Sequence, residues 1–529
     1  MTVPHDWAIY GPFSSLNDKQ EVAISQDGQK EAMEHAGRTG GLPFVGVGWY
    51  RTEFDVPQFQ AGKRATILFD GAMSHANVYI NGQKVGYWPY GYNSFHFDIT
   101  KYLKPGEKNT LAVRLENLPE SSRWYPGAGL YRNVHLIITE DAYIPVWGTY
   151  ITTPSVNEKF AKVNVRTKVV LPEGADPAKY SVETSVWNPN KQKLTAVRTS
   201  LAQMKYNNNQ AEQEFVIQAP SLWSPEMPAL YSAETRLYEG DKLKDIYTTP
   251  FGIRSIEIIP DKGFFLNGKR TVFKGVCNHH DLGPLGAAVN DAAIRRQIRI
   301  LKDMGCNAIR TSHNMPAPEL IRACDEMGMM IMAESFDEWN VAKCKNGYNL
   351  LFDEWAEKDL VNLLHNFRNN PSVVMWCIGN EVPNQWNEGD CKIAKWLQDI
   401  CHREDPTRPV TQGMDAPDAV VNNNFAAVMD VAGFNYRPFT YKINYKKLPQ
   451  RIVLGSETAS TVSSRGVYKF PVERKAMAKY DDHQASSYDV EHCGWSNLPE
   501  DDFIQHEDLP YCIGEFVWTG FDYLGEPTP

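Results

Sequence analysis

Hydrophobic and polar residues alternate with a period of two over about the first 250 residues, which is the pattern of half-buried β-strands. Within residues 65–100, short alternating runs are separated by Asn81-Gly82, a dipeptide that favours a tight hairpin. The pattern predicts that residues 1–140 form an antiparallel β-sandwich of the jelly-roll type. Further strands at about ten-residue spacing predict a second, immunoglobulin-like β-sandwich over residues 141–251.

The pattern changes near residue 252 to short apolar runs that alternate with segments of helical spacing. Eight of these runs are predicted to be buried strands: 271–277, 307–312, 329–334, 372–381, 408–413, 430–436, 451–457 and 511–518. Such alternation over roughly 250 residues is typical of a (β/α)8 barrel, or TIM barrel, so we assign residues 252–529 to this fold. An open doubly wound sheet is the alternative, but the sequence contains no GxGxxG motif and no complete GxxxxGK[ST] motif.

Polar residues follow nearly every predicted barrel strand, at the carboxyl end where barrel active sites lie. They are His279, His280, Asp281, Arg310, His313, Glu334, Asp337, Asn380, Glu381, Tyr436, Glu457 and Trp518. An unpaired carboxylate is costly to bury, so Glu381 at the end of the apolar run "VVMWCIGN" needs a reason. Two glutamates at the ends of different strands indicate glycoside hydrolysis. For each glutamate alone, an ion pair on the barrel rim is the structural alternative.

Composition narrows the class of protein. The chain has 529 residues, 42% of them hydrophobic and 22% charged, which suits folded domains with sizeable cores. A formal net charge of −10 disfavours nucleic acid or an acidic membrane surface as a partner. No apolar run approaches the roughly 20 residues needed to span a bilayer. The nine cysteines all lie at or after Cys277 without a CxxC spacing, so we expect neither a zinc site nor a disulfide framework.

Several segments together resemble glycoside hydrolase family 2, which contains β-galactosidases, β-glucuronidases and β-mannosidases. The barrel segments are "IRTSHNMPAPELIRACDEMGMMIMAESFDEW", "NFRNNPSVVMWCIGNEVP", "VLGSETAS" and "FVWTGFDYLGEP". The sandwich segments are "GVGWYRTEFDVP", "VYINGQKVGYWPYGYNSFHFDIT" and "RWYPGAGLYRNV". The similarity extends over essentially the whole chain, and the Asn-Glu pair after the fourth strand is its most specific element. It implies a retaining exo-β-glycosidase that acts by double displacement on an oligosaccharide or glycan.

The resemblance also implies roles for individual residues. Glu381 is expected to be the general acid/base, kept protonated by burial at an apolar strand end, and Glu457 the ionised nucleophile. The remaining expected substrate-binding residues are Asn380 on the sugar 2-hydroxyl, Tyr436 and Arg310 beside the nucleophile, His279 and His313 on sugar hydroxyls, and Trp518 as the floor under the ring. For Trp518, an aromatic side chain that caps the barrel core is the alternative. His280 is left unassigned.

The same comparison bears on metal ions. Some family members hold Mg²⁺ with a glutamate and a histidine after the third strand, whereas "ESFDEWN" offers Asp337, Glu338 and Asn340 but no histidine. In "SSRWYPG", Arg123 falls about where some β-galactosidases place an acidic residue that is associated with a sodium site. We therefore expect no cofactor, with a Mg²⁺ or Na⁺ site as the disfavoured alternative.

A β-galactoside is the expected substrate, because histidines, Asn380 and a tryptophan floor suit its axial 4-hydroxyl and the similarity leans toward the β-galactosidase branch. A β-glucuronide or β-mannoside is the alternative. Glucuronidases of the family present an Asn-x-Lys element beyond the eighth strand, which the sequence from Trp518 to Pro529 lacks, and the nearest candidate cations are Arg437 and Arg465. The alternative from another class is a carbohydrate-binding protein without turnover, against which the presence of both glutamates argues.

Two further expectations concern the ends of the chain. The N-terminal segment "MTVPHDWAIYGPF" lacks the basic and apolar regions of a signal peptide, so an extracytoplasmic location is expected only if the precursor carries one. No amphipathic helix follows the eighth strand, so the natural protein is expected to continue and to supply the eighth barrel helix. The oligomeric state is left open.

Overall fold

The computed structural model describes residues 1–14, 17, 44–58, 62–203, 210–482 and 484–525. Two β-sandwiches precede a closed barrel of eight parallel strands, so the predicted fold class is confirmed. No helix in these ranges is long and apolar enough to cross a membrane. We predicted that no helix follows the eighth strand. The last four residues of that segment, 526–529, lie outside the described residues.

Within the described residues, the first sandwich contains seven strands in two antiparallel sheets, with the orders β1-β6-β3-β4 and β5-β2-β7. The strands are β1 (Gly46–Asp55), β2 (Arg64–Phe69), β3 (Ala76–Ile80), β4 (Gln83–Trp88), β5 (Phe95–Asp98), β6 (Lys108–Asn117) and β7 (Val134–Thr139). Alternate residues such as Phe69, Val78 and Phe95 point into the core between the sheets. Asn81 and Gly82 both have positive φ, of 51° and 80°, which forms the tight β3–β4 turn that the dipeptide predicts.

Outside residues 204–209, which the structure does not describe, the second sandwich also shows seven strands, in sheets ordered β11-β10-β13-β14 and β12-β9-β8. They are β8 (Thr149–Val156), β9 (Phe160–Lys168), β10 (Tyr180–Trp187), β11 (Lys193–Ser200), β12 (Gln210–Gln218), β13 (Tyr231–Glu239) and β14 (Lys242–Phe251). A small sheet that the sequence pattern did not predict then leads into the barrel: β15 (Ile256–Ile259), β16 (Gly263–Leu266) and β17 (Lys269–Arg270). Its residues Phe264 and Leu266 extend the apolar core of the barrel.

The barrel strands are β18 (Phe273–Asn278), β19 (Ala308–Thr311), β20 (Met330–Glu334), β21 (Val373–Asn380), β22 (Val410–Met414), β23 (Val431–Asn435), β24 (Val453–Ala459) and β27 (Cys512–Trp518). The two short strands β25 (Lys475–Ala476) and β26 (Glu491–His492) lie in the loop after β24. The helices are α1 (Asp291–Asp303), α2 (Pro318–Met327), α3 (Phe352–Phe367), α4 (Cys391–Glu404), α5 (Pro417–Asn422), α6 (Tyr441–Asn444) and α7 (Pro499–His506). All eight predicted strands are present, and α5 and α6 are each shorter than two turns.

The first sandwich packs against the loops at the carboxyl end of the barrel. Asp6 lies at this junction, where its carboxylate accepts hydrogen bonds from the main-chain N–H groups of Ala8, Ala128 and Ala287 and from the hydroxyl of Tyr125. These donors belong to the N-terminal segment, the first sandwich and a barrel loop. One buried carboxylate thus fixes a sandwich loop, residues 122–132, over the end of the barrel where strand-end side chains converge.

Candidate active site

Arg310 lies at the centre of the polar cluster inside the carboxyl end of the barrel. Its guanidinium is fully buried and donates to Glu334 Oε2 at 2.6 Å, to Glu457 Oε1 at 2.7 Å and to Asn380 Oδ1 at 3.0 Å. These residues come from β19, β20, β24 and β21, so one side chain ties four strands together. The planar fork of arginine suits such a task, because its five N–H groups point in fixed directions.

Glu457 on β24 is held by charged and neutral donors. Besides Arg310, the hydroxyl of Tyr436 donates to Glu457 Oε2 at 2.5 Å, and His313 Nε2 lies 3.5 Å from Oε1. Tyr436 follows β23 directly and takes a positive φ of 54°, which turns its side chain toward the neighbouring strand. Both carboxylate oxygens of Glu457 are therefore fixed in place by side chains that the sequence analysis placed beside it.

Glu381 follows β21 and is less enclosed than Glu457. Its Oε1 accepts a hydrogen bond from Asn435 Nδ2 at 2.8 Å, and its main-chain N–H donates to Gly413 O at 2.8 Å. Its positive φ of 40° is uncommon for a residue other than glycine and directs the side chain away from the strand direction. No carboxylate–cation pair within 4 Å of Glu381 occurs among the described residues, so its direct partner is a neutral amide.

Burial raises the pKa of both glutamates, so burial alone does not distinguish an acid from a nucleophile. Burial raises the pKa of Glu457 to about 8, although the Arg310 guanidinium lowers it. Burial, and then the neighbouring Asp415, also raise the pKa of Glu381. Two carboxyl groups that repel each other titrate as a pair. Arg310 and the Tyr436 hydroxyl stabilise the ionised form of Glu457, whereas the hydrogen-bond partner of Glu381 is the neutral amide of Asn435.

Aromatic rings line one side of the cluster. The His313 ring stacks on Trp518, with centroids 5.1 Å apart and planes 6° apart, and His279 meets the edge of Trp518 at 5.4 Å. His313 Nδ1 lies 3.0 Å from Glu334 Oε1, which fixes its ring. Neither ring nitrogen of His279 has a hydrogen-bond partner among the described residues, and burial holds its pKa well below the usual value. His279 is therefore a neutral imidazole, packed between Trp124 and Trp518.

His280, which the sequence left unassigned, points toward the first sandwich. Its Nε2 lies 3.1 Å from Pro126 O, and its ring meets the edges of Tyr92 and Tyr131. The neighbouring Asp281 accepts from the main-chain N–H of Gly283, and burial raises its pKa to about 6. These contacts assign His280 to the junction between domains. The "NHHD" segment therefore contributes His279 alone to the pocket.

The first sandwich contributes Arg123 and Trp124 to the wall of the pocket. Arg123 Nε and Nη2 bind the two carboxylate oxygens of Asp337 at 2.9 and 2.7 Å, across 214 residues of sequence. The Trp124 ring lies 4.9 Å from His279 and 5.7 Å from His313. Arg123, with Lys343, holds the pKa of Asp337 well below its usual value against the opposing effect of burial. The sandwich thus closes one side of the pocket with an ion pair and an indole.

The residues that the sequence offered to Mg²⁺ do not fit a divalent cation. Asp337 is bound to two cationic side chains, and both carboxylate oxygens of Glu338 accept main-chain N–H groups of the following loop. Asn340 Oδ1 accepts from Asn384 Nδ2 at 2.9 Å. No group of three or more His, Cys, Asp and Glu side chains that could hold a metal ion occurs in the part of the chain that the structure describes. Arg123 likewise occupies the place considered for an acidic Na⁺ neighbour.

Sequence reasoning missed three residues of the cluster. Asn435 binds both Asn380 and Glu381, and Ser456 Oγ fixes the Asn435 amide by donating to its Oδ1 at 2.6 Å. Lys343 Nζ binds Asp337 Oδ1 at 2.9 Å and Asn380 O at 2.7 Å. The position of Asn435 at the end of a predicted strand was a usable signal. No periodicity marks Lys343, which lies in a loop.

A separate cavity of about 930 Å³ lies between the second sandwich and the opposite, amino end of the barrel. Its lining includes Arg254, Pro371 and Arg408, which precede or flank the starts of β21 and β22. Arg254 and Arg408 both donate to Val373 O there, at 2.7 and 2.6 Å. This cavity is remote from the clustered carboxylates, so the candidate active site is the polar cluster at the carboxyl end of the barrel.

Comparison with known families agrees with this architecture. The family model for the TIM barrel domain of glycosyl hydrolases family 2 matches residues 257–527, which is more than half of the chain. The chain belongs to glycosyl hydrolases family 2. Two further models of this family match the preceding parts: residues 143–254 match the model described as glycosyl hydrolases family 2, and residues 42–140 match its sugar binding domain. The family resemblance of the sequence motifs is confirmed.

Individual proteins are also similar to the chain. It is 38% identical to the β-galactosidase BoGH2A of Bacteroides ovatus, over 100% of this chain and 65% of that protein. It is 29% identical to a β-glucuronidase of Bacteroides fragilis, over 90% and 70% of the two chains. The crystal structure of a β-glycosidase from Bacteroides vulgatus matches with a TM-score of 0.84 and 31% identity, over 99% of this chain and 67% of that one. The chain thus spans about two thirds of the length of such relatives.

Proposed function

We propose that the chain is a retaining exo-β-glycosidase that hydrolyses terminal β-galactosides. The observation that carries this proposal is the pair of glutamates at the ends of β21 and β24, of which Glu457 is bound by a cation and Glu381 by a neutral amide. Double displacement needs one ionised and one protonated carboxyl group on opposite sides of the scissile bond. The cationic partner of Glu457 supports its role as the ionised nucleophile, and the neutral partner of Glu381 supports its role as the protonated acid.

In the proposed first step, Glu457 attacks the anomeric carbon while Glu381 gives its proton to the leaving oxygen. The bond between carbon and leaving oxygen breaks, and a glycosyl ester forms on Glu457. Arg310 and Tyr436 hold the attacking carboxylate in a fixed orientation, which lowers the entropic barrier to attack. In the second step, Glu381 removes a proton from water, which attacks the same carbon and releases the sugar.

The side chains around the glutamates suit a neutral sugar ring. Trp518 offers an aromatic face, and Asn380 is aligned by Arg310 and Asn435 for a contact with the 2-hydroxyl. His279 supplies a neutral donor and acceptor for a further hydroxyl. The wall formed by Arg123 and Trp124 closes one side of the pocket, which supports action on a terminal sugar rather than on the middle of a chain.

The Arg123–Asp337 pair favours a galactoside over a uronide. Arg123 already binds a carboxylate through two parallel hydrogen bonds, so its fork is not offered to a carboxylate of the substrate. Asp337, which stays ionised, accepts hydrogen bonds from sugar hydroxyls and repels a second carboxylate.

One observation favours β-glucuronide as the second candidate. Arg437, beside Tyr436, donates through Nη1 to the carbonyl oxygens of Tyr436 and Trp495. In the described residues no carboxylate lies within 4 Å of the Arg437 guanidinium, so its charge could pair with the carboxylate of a glucuronide.

We expect a panel of nitrophenyl β-glycosides to identify the sugar. The β-galactoside should have the highest kcat/KM among the β-galactoside, β-glucuronide, β-mannoside and β-glucoside. A glucuronide or mannoside preferred tenfold over the galactoside, about 1.4 kcal/mol of transition-state stabilisation, would overturn the assignment of the sugar. Arg437→Gln serves as the matched variant, because it should leave galactoside hydrolysis within about threefold and should selectively weaken any glucuronide hydrolysis.

The stereochemical outcome is a second expected result. Proton NMR of a β-galactoside digest should show the β-anomer of the free sugar first, with the α-anomer appearing later by mutarotation. Retention requires the Glu381 and Glu457 carboxyl groups to lie about 5–5.5 Å apart, against roughly 6.5–9.5 Å for an inverting enzyme. The α-anomer as first product would exclude double displacement. A carbohydrate-binding protein without turnover would release neither anomer.

A further inference from the structure

A buried ammonium group lies directly behind the end of β21. Lys343 belongs to the loop after β20 and is only 5% exposed. Its Nζ donates to Asp337 Oδ1 at 2.9 Å and to the main-chain oxygen of Asn380 at 2.7 Å. Lysine is almost never buried unless it is paired, and here one partner is a carboxylate and the other is the last carbonyl of the strand. The group therefore has a defined place in the cluster.

The loop that carries Lys343 is shaped by Glu338. The carboxylate of Glu338 accepts the main-chain N–H groups of Lys343, Cys344 and Asn349, the latter two at 3.2 Å. At Gly347 a Cβ atom would lie 1.8 Å from Glu338 Oε1, so the loop can close around this carboxylate only with glycine at that position. Glu338 thus stabilises the loop conformation in which the Lys343 ammonium reaches the end of β21.

The carbonyl that Lys343 binds belongs to the peptide bond between Asn380 and Glu381. The N–H of the same peptide donates to Gly413 O at 2.8 Å, so the peptide is held from both sides. Glu381 has a positive φ of 40°, a conformation that costs on the order of 1–3 kcal/mol and persists only where its surroundings impose it. The direction of the Glu381 side chain therefore depends on the contacts of this peptide.

We propose that Lys343 is a positioning residue that takes the place of a metal ion at this end of the barrel. Its ammonium fixes Asp337 and the Asn380–Glu381 peptide in the arrangement that catalysis requires. The two acidic side chains best suited to a divalent cation, Asp337 and Glu338, bind the ammonium and the main chain of Lys343 instead. The Lys343 charge also lowers the pKa of Glu381, against burial and Asp415, which raise it.

The test uses Lys343→Ala in the whole chain, assayed on the β-glycoside that the wild type hydrolyses best, so it rests on the proposed function but not on the identity of the sugar. We expect kcat/KM to fall about 100-fold, because a displaced strand end misplaces the catalytic group. Ethylammonium chloride should restore part of the loss, and tetramethylammonium chloride at equal ionic strength should not, since it has no N–H donor. Lys343→Arg should stay within about tenfold of the wild type.

Lys345→Ala is the matched control, because the Lys345 side chain is 49% exposed and pairs with Glu120 at 3.5 Å. It should leave kcat/KM unchanged. Full activity of Lys343→Ala would overturn the proposal, and so would a loss that ethylammonium does not reduce while the thermal midpoint stays that of the wild type. If Lys343→Ala is destabilised, the kcat/KM of Lys343→Arg decides instead. A value within about tenfold of the wild type supports the proposal, and a larger loss overturns it.

Isothermal titration of the wild type with MgCl2 separates this proposal from the proposed function. We expect no stoichiometric binding of Mg²⁺ and no loss of activity after dialysis against EDTA. Stoichiometric binding of Mg²⁺ that alters activity or stability would show that a metal ion, and not the ammonium, completes the site. If the wild type hydrolyses none of the glycosides, the proposed function fails, and the titration still decides between lysine and metal.

Discussion

Glu457→Gln should reduce kcat/KM for an aryl β-glycoside by at least about 10⁴-fold. The substitution keeps the size of the side chain; the amide oxygen can still accept from Arg310 and the amide nitrogen can donate to the Tyr436 hydroxyl oxygen, so the fold should persist. The amide is too weak a nucleophile to attack the anomeric carbon, which removes the covalent step. Steady-state kinetics, with circular dichroism to confirm the fold, measures the effect.

A half-buried glutamate at the other end of the barrel provides the control for this change. Glu404, which pairs with His365 at 2.7 Å, lies on α4 away from the pocket, and Glu404→Gln should leave kcat/KM unchanged. A 2-deoxy-2-fluoroglycosyl fluoride should label the wild type once, on the peptide that contains Glu457, and should not label Glu457→Gln. If Glu457→Gln retains more than a tenth of the activity, Glu457 is not the nucleophile.

Glu381→Ala should have the second largest effect, and the effect should depend on the leaving group. A substrate with a poor leaving group, such as a phenyl glycoside, needs the proton and should lose about 10³-fold in kcat/KM. A dinitrophenyl glycoside needs no proton for the first step, so its first step should slow by about tenfold or less. Azide should enter the space left by the side chain and speed turnover of the activated substrate, with a β-glycosyl azide as product.

The pH profile gives an independent reading of the same residue. The pKa of Glu381 is raised by burial and by Asp415, and its acid role requires the protonated form, so activity of the wild type should fall as the pH rises through that pKa. Glu381→Ala should lose this alkaline limb on the activated substrate. Equal slowing of phenyl and dinitrophenyl substrates, with the limb unchanged, would contradict the acid/base role.

The barrel could be predicted because its signal is local. Each strand is a short apolar run with a turn or a helical pattern after it, and all eight runs form strands within three residues of their predicted bounds. The small sheet β15–β17 was missed because strands of two to four residues carry too little alternation to be recognised. The α5 and α6 helices, of six and four residues, give no clear signal for the same reason, because segments this short have no measurable helical period.

The sequence by itself determined which side chains converge. Carboxyl ends of parallel barrel strands share one face, so Asn380, Glu381 and Glu457 had to meet there whatever the details of packing. Tertiary structure alone decided how each is held. The pairing of Arg123 with Asp337 spans 214 residues and two domains, and Lys343 reaches Asn380 from an irregular loop. Neither contact follows from spacing, because both depend on how separate units pack. The same packing sets the surroundings of the two glutamates, since burial raises the pKa of both while Arg310 and Tyr436 contact Glu457 and Asn435 contacts Glu381.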